Sequence, residues 1–360
     1  MTVTIGYVGL DHHHRTPYLD SIARLDDAEV VATADPYGVQ AVDVGAESLL
    51  GLPHYESTAA MLANESIDVV WLTLSNRDTP AAIDAALDAG VDVYSEKPAA
   101  RTAADLAPVA DRIRAADDRT VCFSYTWRAH PIAQQLREHA SNDFFGDVRG
   151  FDLRFVASAL ETRDTDHYLF DRDASRGGIV QWLGVHWIDL LPWLLDDEIV
   201  RVNAAMSATH PDVDVENGAA LTFELGDSGA VGTLTTGYHL REGRYDTEIA
   251  VYGTDGRCWW DPIGSEFGFD GQTTLHLDSD DWPSTPTRDI TYEYDEAPGY
   301  GGKWGLAFFE QFLAARDGDE TATVPASVDD ALGVLSVLDA AYESNETGEW
   351  VTVDRPTDEA

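Results

Sequence analysis

Over the first 120 residues, short runs of β-branched and apolar residues alternate with segments of helical periodicity. Residues 2–8, 28–34, 69–74, 91–94 and 121–125 have the length and content of strands. Residues 17–25, 58–63, 80–89 and 103–116 repeat apolar positions at helical spacing. Strands and helices that alternate in this way build βαβ units, so the pattern predicts a doubly wound parallel sheet with helices on both faces.

Beyond residue 122 the pattern changes. Residues 150–156, 219–225, 230–236, 248–252 and 257–261 read as strands punctuated by Gly, Asn and Asp, the signature of a large, mostly antiparallel open sheet. The longest apolar stretch, 179–195, contains Gln181, His186 and Asp189 and is expected to be a buried helix rather than a membrane span. Two further helices are expected at 305–315 and 328–344, the second started by Ser327 and ended near Gly348. The Asp-, Pro-, Thr- and Tyr-rich residues 278–300 read as an extended loop. The expected organisation is an α/β domain over 1–122 and an α+β domain over 123–360, whose final helices are free to pack back on the first.

Charge narrows the setting. There are 65 acidic residues against 23 Lys and Arg, a formal net charge of -42, yet 44% of residues are hydrophobic. Such a chain folds, but the mutual repulsion of its acids is tolerable only where salt screens it. A halophilic, cytoplasmic protein is expected, since no basic leader-like segment opens the chain. The same field disfavours nucleic acid and anionic membranes as partners. Cys122 and Cys258 are isolated in sequence and suggest no disulfide framework.

After the first strand, Gly9-Leu10-Asp11-His12-His13-His14 occupies the place of a G-x-G-x-x-G dinucleotide turn but keeps only the first glycine. A carboxylate beside a pyrophosphate is unfavourable, so Asp11 is expected to turn away and cap the helix near Thr16. His12, His13 and His14 are then candidate donors to phosphate oxygens. Consecutive histidines do not readily converge on one ion, and sequence places no carboxylate beside them, so no metal is expected. Asp35 ends the second strand, 21 residues after His14, where a ribose-binding acid belongs. It would accept from the ribose hydroxyls of NAD and repel the 2'-phosphate of NADP, which makes NAD the expected cofactor.

Only two lysines occur in the chain, against 21 arginines, and one of them is Lys97 in Ser95-Glu96-Lys97-Pro98. An ammonium can lose its proton when desolvated, whereas a guanidinium effectively cannot, so a lysine retained there points to proton chemistry. Gly9, Asp35, Thr73-Leu74-Ser75-Asn76, Glu96-Lys97-Pro98, Gly177-Gly178 and Gly184-Val185-His186-Trp187-Ile188-Asp189 follow one another in the order seen in the Gfo/Idh/MocA family of glucose-fructose oxidoreductase and inositol dehydrogenase. The chain resembles that family over nearly its whole length, as a divergent member of haloarchaeal type.

The resemblance implies a Rossmann domain followed by an open-sheet domain, with NAD(P) contacted by Gly9 to His14, Asp35, Thr73, Leu74, Ser75, Asn76, Glu96 and Lys97. It implies hydride transfer between nicotinamide and a hydroxyl or carbonyl of a sugar or polyol, with Lys97 and His186 in proton transfer, and a dimer or tetramer. Where relatives carry an aspartate one turn before the histidine, this chain has Trp182; Gln181, Asp189, Tyr168 or Tyr125 are candidates to compensate. Asp78 stands where many relatives carry a histidine. Gln181, Trp182, Tyr168, Arg128 and Arg176 are candidate substrate contacts, the arginines as clamps. Two alternatives on the same scaffold are redox-assisted glycoside cleavage and a catalytically silent NAD-binding regulator.

Overall fold

The computed structural model describes residues 2–116, 118–263, 271–282, 284–294, 297–319 and 321–355. The expected limit at residue 360, and residues 283 and 295–296 of the expected loop, lie outside the described residues. The chain divides into two compact units, Met1–Ala129 with Glu296–Leu332, and His130–Asp295 with Gly333–Ala360.

In the first unit the expected alternation is realised as β1 (Val3–Val8), α1 (Arg15–Ile22), β2 (Ala28–Ala34), β3 (His54–Tyr55), α2 (Thr58–Asn64), β4 (Val69–Leu72), α3 (Thr79–Ala89), β5 (Asp92–Ser95), α4 (Ala103–Ala115) and β6 (Val121–Phe123). The strands form one sheet in the order β3-β2-β1-β4-β5-β6, parallel throughout. Strand order reverses between β1 and β4, and at such a switch point the loops beyond the strand ends part to leave a ligand crevice. Side-chain caps start the helices: Ser57 Oγ accepts from Ala60 N at 3.1 Å and Thr102 Oγ1 from Asp105 N at 3.0 Å. At α1 the N-cap position is His14 rather than Asp11, which is exposed, so the expected aspartate cap is not what begins this helix.

The second unit opens with α5 (Pro131–Ser141), β7 (Val148–Ser158) and the short α6 (Arg172–Ser175). A π-helical turn, Val180–Gly184, runs straight into α7 (Val185–Leu195), so the apolar stretch is a buried helix as its pattern predicts. No helix among the described residues is long and apolar enough to cross a membrane. Then come β8 (Ile199–Ser207), β9 (Gly218–Leu225), β10 (Val231–Leu240), β11 (Asp246–Gly253), β12 (Gly256–Trp260), β13 (Gln272–Ser279) and β14 (Thr287–Glu293). Thus much of the segment expected as a loop is instead one strand of a hairpin, Gln272 pairing with Glu293 and Asp278 with Thr287.

The chain closes with α8 (Gly302–Arg316) in the first unit, α9 (Val328–Thr347), which begins there and continues into the second, and β15 (Val351–Thr352). Among the described residues nine strands form the second sheet, in the order β14-β13-β12-β11-β7-β10-β9-β8-β15, antiparallel except where β10 meets β7. One face buries Phe151, Leu153 and Phe155 of β7. The other carries cross-strand ion pairs, Arg154 with Asp246 at 2.7 Å and Glu248 at 2.8 Å, and Arg201 with Glu224 at 2.7 Å.

Aromatic packing fixes α8 in the first unit. Phe309 lies 4.6 Å, centroid to centroid, from Trp71 of β4, and Phe312 lies 5.5 Å from Tyr94 of β5. Both phenylalanines are fully enclosed, so truncation leaves a void that the sheet cannot close. Phe309→Ala is expected to cost about 3–5 kcal/mol, the usual penalty for emptying such a site. Denaturant unfolding at fixed salt checks this through the shift of the first unit's transition; a shift worth under about 1 kcal/mol would mean that α8 is held by other contacts.

Candidate active site

The first unit's candidate residues gather at the carboxyl ends of β1, β2, β4 and β5. Gly9 follows β1 with φ +91°, and a Cβ there would lie 2.4 Å from the Thr73 carbonyl oxygen, so this one glycine of the motif is required by backbone approach. Thr73 secures the same crossing, its hydroxyl reaching Gly9 O at 2.6 Å and Val8 O at 3.0 Å.

Asp35 does sit at the end of β2, but it is only 1% exposed. Its Oδ2 accepts from Leu10 N at 2.7 Å, and its Oδ1 from Tyr37 N at 2.8 Å and Val39 N at 3.2 Å. The carboxylate therefore ties the dinucleotide turn to the loop after β2. A neighbouring acid is more accessible. Tyr37, 44% exposed, lies 2.9 Å from Ser75 Oγ and donates to Asp78 Oδ2 at 2.5 Å, while Ser75 donates to the same oxygen at 2.7 Å. Partial burial would raise the Asp78 carboxyl, but Arg77, Tyr37 and Ser75 outweigh it and hold the group below its usual range. Burial and Asp78 in turn push the Tyr37 phenol up to about 12.

After β5, Glu96 and Lys97 turn inward, with side chains 3% and 2% exposed and Nζ 3.4 Å from Glu96 Oε1. Tyr18 of α1 donates to Glu96 Oε2, and Ser124 Oγ donates to the same atom at 3.1 Å. His14 Nδ1 lies 3.6 Å from Glu96 Oε1. Burial pushes the Lys97 ammonium below its ordinary value, and Glu96 offsets only part of that. For Glu96 burial acts upward, but Lys97 and His14 prevail and keep it ionised, well below the carboxylate range. His14 is lowered by burial, with Glu96 opposing.

The fold supplies the carboxylate that sequence did not place beside the histidines: ligand atoms of His12, His14 and Glu96 all lie within 4.8 Å of one another. Two features turn this cluster away from a cation. His12 Nδ1 accepts from His14 N at 3.0 Å, so in the neutral ring the proton is on Nε2, which donates rather than ligates. The Lys97 ammonium also stands against the Glu96 oxygen that would bind. What the cluster offers is N–H donors at the start of α1, the chemistry of an anion cradle.

Arg128 is buried in the first unit and spent on structure, pairing with Asp330 at 3.0 Å and donating to Pro325 O at 3.3 Å. Arg176, in the second unit, pairs with Asp339 and lies 4.5 Å over the Tyr342 ring. Neither arginine is held as an open clamp.

Around α7 the structure brings together Tyr168, Gln181, Trp182 and His186. Tyr168 meets Trp182 edge-on at 6.1 Å; Trp182 is 3% exposed, and its indole N–H donates to Leu169 O at 3.2 Å. The tryptophan that replaces the family's aspartate thus seals the π turn against the preceding loop. His186 is buried, its ring stacked on that of Phe155 at 6.0 Å with the planes 27° apart.

Gly177 and Gly178 explain themselves here. A Cβ on Gly177 would strike Tyr342 Oη at 1.7 Å, and one on Gly178 the Glu216 carbonyl oxygen at 2.0 Å. Glu216 Oε1 accepts from Val180 N at 3.1 Å and from Tyr342 Oη at 2.9 Å, pinning the start of the π turn. Sequence reading missed Tyr18, Tyr37, Ser124, Glu216 and Tyr342. All of these join partners far away along the chain.

Residues 3–124 match the family model for the oxidoreductase family with an NAD-binding Rossmann fold, and residues 133–258 match that for the GFO/IDH/MocA C-terminal domain. D-xylose 1-dehydrogenase (NADP(+)) 2 of Haloferax volcanii is 27% identical over 93% of this chain and 91% of its own. Inositol 2-dehydrogenase 3 of Saccharopolyspora erythraea is 26% identical over 71% and 72%. Among solved structures, levoglucosan dehydrogenase in complex with NADH and L-sorbose superposes with a TM-score of 0.82 at 19% identity, covering 99% of this chain and all of that one. With its dinucleotide turn, inward Glu96-Lys97 pair and two-domain match, the chain belongs to the Gfo/Idh/MocA family of NAD-binding oxidoreductases.

Proposed function

We propose that this enzyme oxidises a secondary hydroxyl of a sugar, polyol or related compound, or reduces the matching carbonyl, with Lys97 and His186 sharing the proton transfer. The observation that carries the proposal is the buried Lys97: an ammonium whose charge burial disfavours, held beside a fixed carboxylate at the crevice edge of the first sheet. Alcohol oxidation needs a base for the hydroxyl proton while hydride leaves for the nicotinamide, and carbonyl reduction needs the same group as an acid. A lysine drawn down toward neutrality serves both directions. An imidazole is a common general acid or base, which is the role given to His186. In this reading residues 1–122 bind the dinucleotide and 123–360 bind substrate and mediate assembly. Gln181, Trp182 and Tyr168 contact the substrate; Arg128 and Arg176 act through the packing around it. The sugar dehydrogenases among the relatives support this substrate class.

For the cofactor we favour NAD over NADP. Gly9 to His14 and Thr73 to Asn76 wrap its phosphates and riboses, and Asp35 and Asp78 put negative charge where a 2'-phosphate would sit. The NADP-dependent name of one haloarchaeal relative makes this preference the one to test first. The acidic surface fits a salt-rich cytoplasm, and the broad open sheet fits a dimer or tetramer.

Lys97→Ala is expected to abolish turnover with NAD or NADP and a panel of D-xylose, D-apiose, D-glucose and inositol, while dinucleotide affinity by protein fluorescence stays nearly unchanged. An active variant would remove Lys97 from the chemistry. In the wild type, oxidation requires the neutral amine, so kcat for oxidation should rise with pH through a Lys97 pKa below 10.5, and kcat for reduction should fall through the same value. A pH–rate profile with no lysine-dependent limb would sink that assignment. Asp35→Ala is expected to weaken NAD more than NADP; equal weakening would make Asp35 an anchor of the turn and nothing more.

A further inference from the structure

The dinucleotide turn carries a histidine, His14, at the position of the motif's third glycine, and the fold points that ring at Glu96 rather than outward. Glu96 divides its two oxygens between different duties. Oε2 is occupied by the Tyr18 and Ser124 hydroxyls. Oε1 faces Lys97 Nζ at 3.4 Å on one side and His14 Nδ1 at 3.6 Å on the other. Both Glu96 Oε1 and His14 Nδ1 are enclosed atoms without a hydrogen-bond partner, which in a buried site calls for an explanation. Along this line exposure rises outward, from 2% for the Lys97 side chain and 3% for Glu96 to 16% for His14.

We propose that Lys97, Glu96 and His14 form a proton relay that empties Lys97 to solvent after each oxidation, with His14 as its exit. The inference rests on the dehydrogenase reading given above. In the oxidation the substrate's C–H bond breaks and its hydride, carrying two electrons, reduces the oxidised nicotinamide dinucleotide. The hydroxyl proton passes to the Lys97 amine. The resulting ammonium gives its proton to Glu96 Oε1, the carboxylic acid so formed passes it to His14 Nδ1, and the imidazolium releases its Nε2 proton to water; tautomer exchange through water then returns the ring to the Nε2–H form for the next turnover. Glu96 is a carboxylate again, Lys97 an amine, and one proton has left per hydride transferred; reduction runs the path backwards. Each hop needs its heavy atoms to close to roughly 2.7–2.9 Å, a small approach from the distances present.

The imidazole suits this task for two reasons. Burial disfavours the charged forms of both Lys97 and His14, so each gives up a proton more readily than it would in water. The ring is also held in place, 4.3 Å from Tyr300 and edge-on to Tyr18 at 5.8 Å, with its own amide donating to His12 Nδ1. The titratable and charged groups that face it are Glu96, Lys97, His12, His13, Tyr18 and Tyr300. A phosphate-binding histidine would act on cofactor affinity. A relay histidine acts on kcat and its pH dependence.

The test compares wild type, His14→Ala and His14→Gln, each checked for fold by circular dichroism, oxidising the best substrate of the sugar and inositol panel at saturating dinucleotide across pH, with and without added imidazole. The relay predicts that both variants lose roughly 10- to 100-fold in kcat, the lower range for positioned proton transfer. Because His14 also borders the dinucleotide turn, cofactor KM is free to rise, but kcat at saturating dinucleotide must fall as well. Imidazole should restore His14→Ala through the emptied site but not His14→Gln, which fills that site with an amide that does not titrate. Unchanged kcat, a loss confined to cofactor KM, or a kcat loss that imidazole does not repair in His14→Ala would overturn the relay while leaving the dehydrogenase standing. A wild type that turns over no substrate with either dinucleotide would bring down the dehydrogenase reading, and the relay with it.

Discussion

The crevice end of the first sheet depends on keeping one carboxylate charged inside it. Glu96 N donates to Leu72 O at 2.8 Å, Lys97 N to Ser124 Oγ at 3.1 Å, and Ser124 N to Ser95 O at 2.9 Å, so the turn after β5 stitches the ends of β4, β5 and β6 together. Taking an ammonium and a carboxylate out of water costs several kcal/mol per ion, and their attraction repays it only when the remaining lone pairs are also satisfied. Tyr18 and Ser124 supply that satisfaction at Oε2, while Oε1 faces Lys97 and His14. The pair is therefore weak evidence for stability and strong evidence for a position: α1, β5 and the residues after β6 must all arrive in register for the charges to be tolerated. Lys97 is presented beside the carboxyl ends of β4 and β5 as a consequence of that register.

Much of this was legible in the sequence, for a physical reason. A strand buried on both faces must be a continuous apolar run, and helices laid on it must show a stripe, so β1, β2, β4, β5 and β6 and their helices can be read off within a few residues. The second sheet was less legible. It has one wet face, and at its edge β14, TRDITYE, is exposed at most positions, so no apolar alternation distinguishes it from a loop. β3 and β15 are two residues each, too short to leave a pattern. Within the site, Gly9, Asp35 and Lys97 stood out because each is bound to a local turn. The partners that fix them were hidden: Tyr18 is 78 residues from Glu96, and Tyr342 is 126 from Glu216. Nothing in a linear reading brings such pairs together.

Asp35 shows how a position can be right and its surroundings still change its meaning. Sequence spacing puts an acid at the end of β2, and there it is, yet three backbone amides already hold it. A carboxylate there still repels a phosphate, but one so bonded has lost much of its freedom to accept from a ribose. Charge and hydrogen bonding, which the motif treats as one function, are separated here, and the more open acid is Asp78, held by Tyr37.

The second unit solves the same problem by different means. Its catalytic candidate rides on a helix rather than a turn, so what must be fixed is where that helix starts. Glu216 does this by accepting from Val180 N, and Tyr342 holds Glu216 in turn. Two glycines in a row give the tyrosine and the Glu216 backbone room to come that close. A π turn then inserts one extra residue before α7, the kind of irregularity that persists only when surrounding contacts over-determine it. Removing the turn would rotate every following side chain by about 100° around the axis. His186 lies just past that turn, so Glu216, Tyr342 and the paired glycines fix where its helix begins.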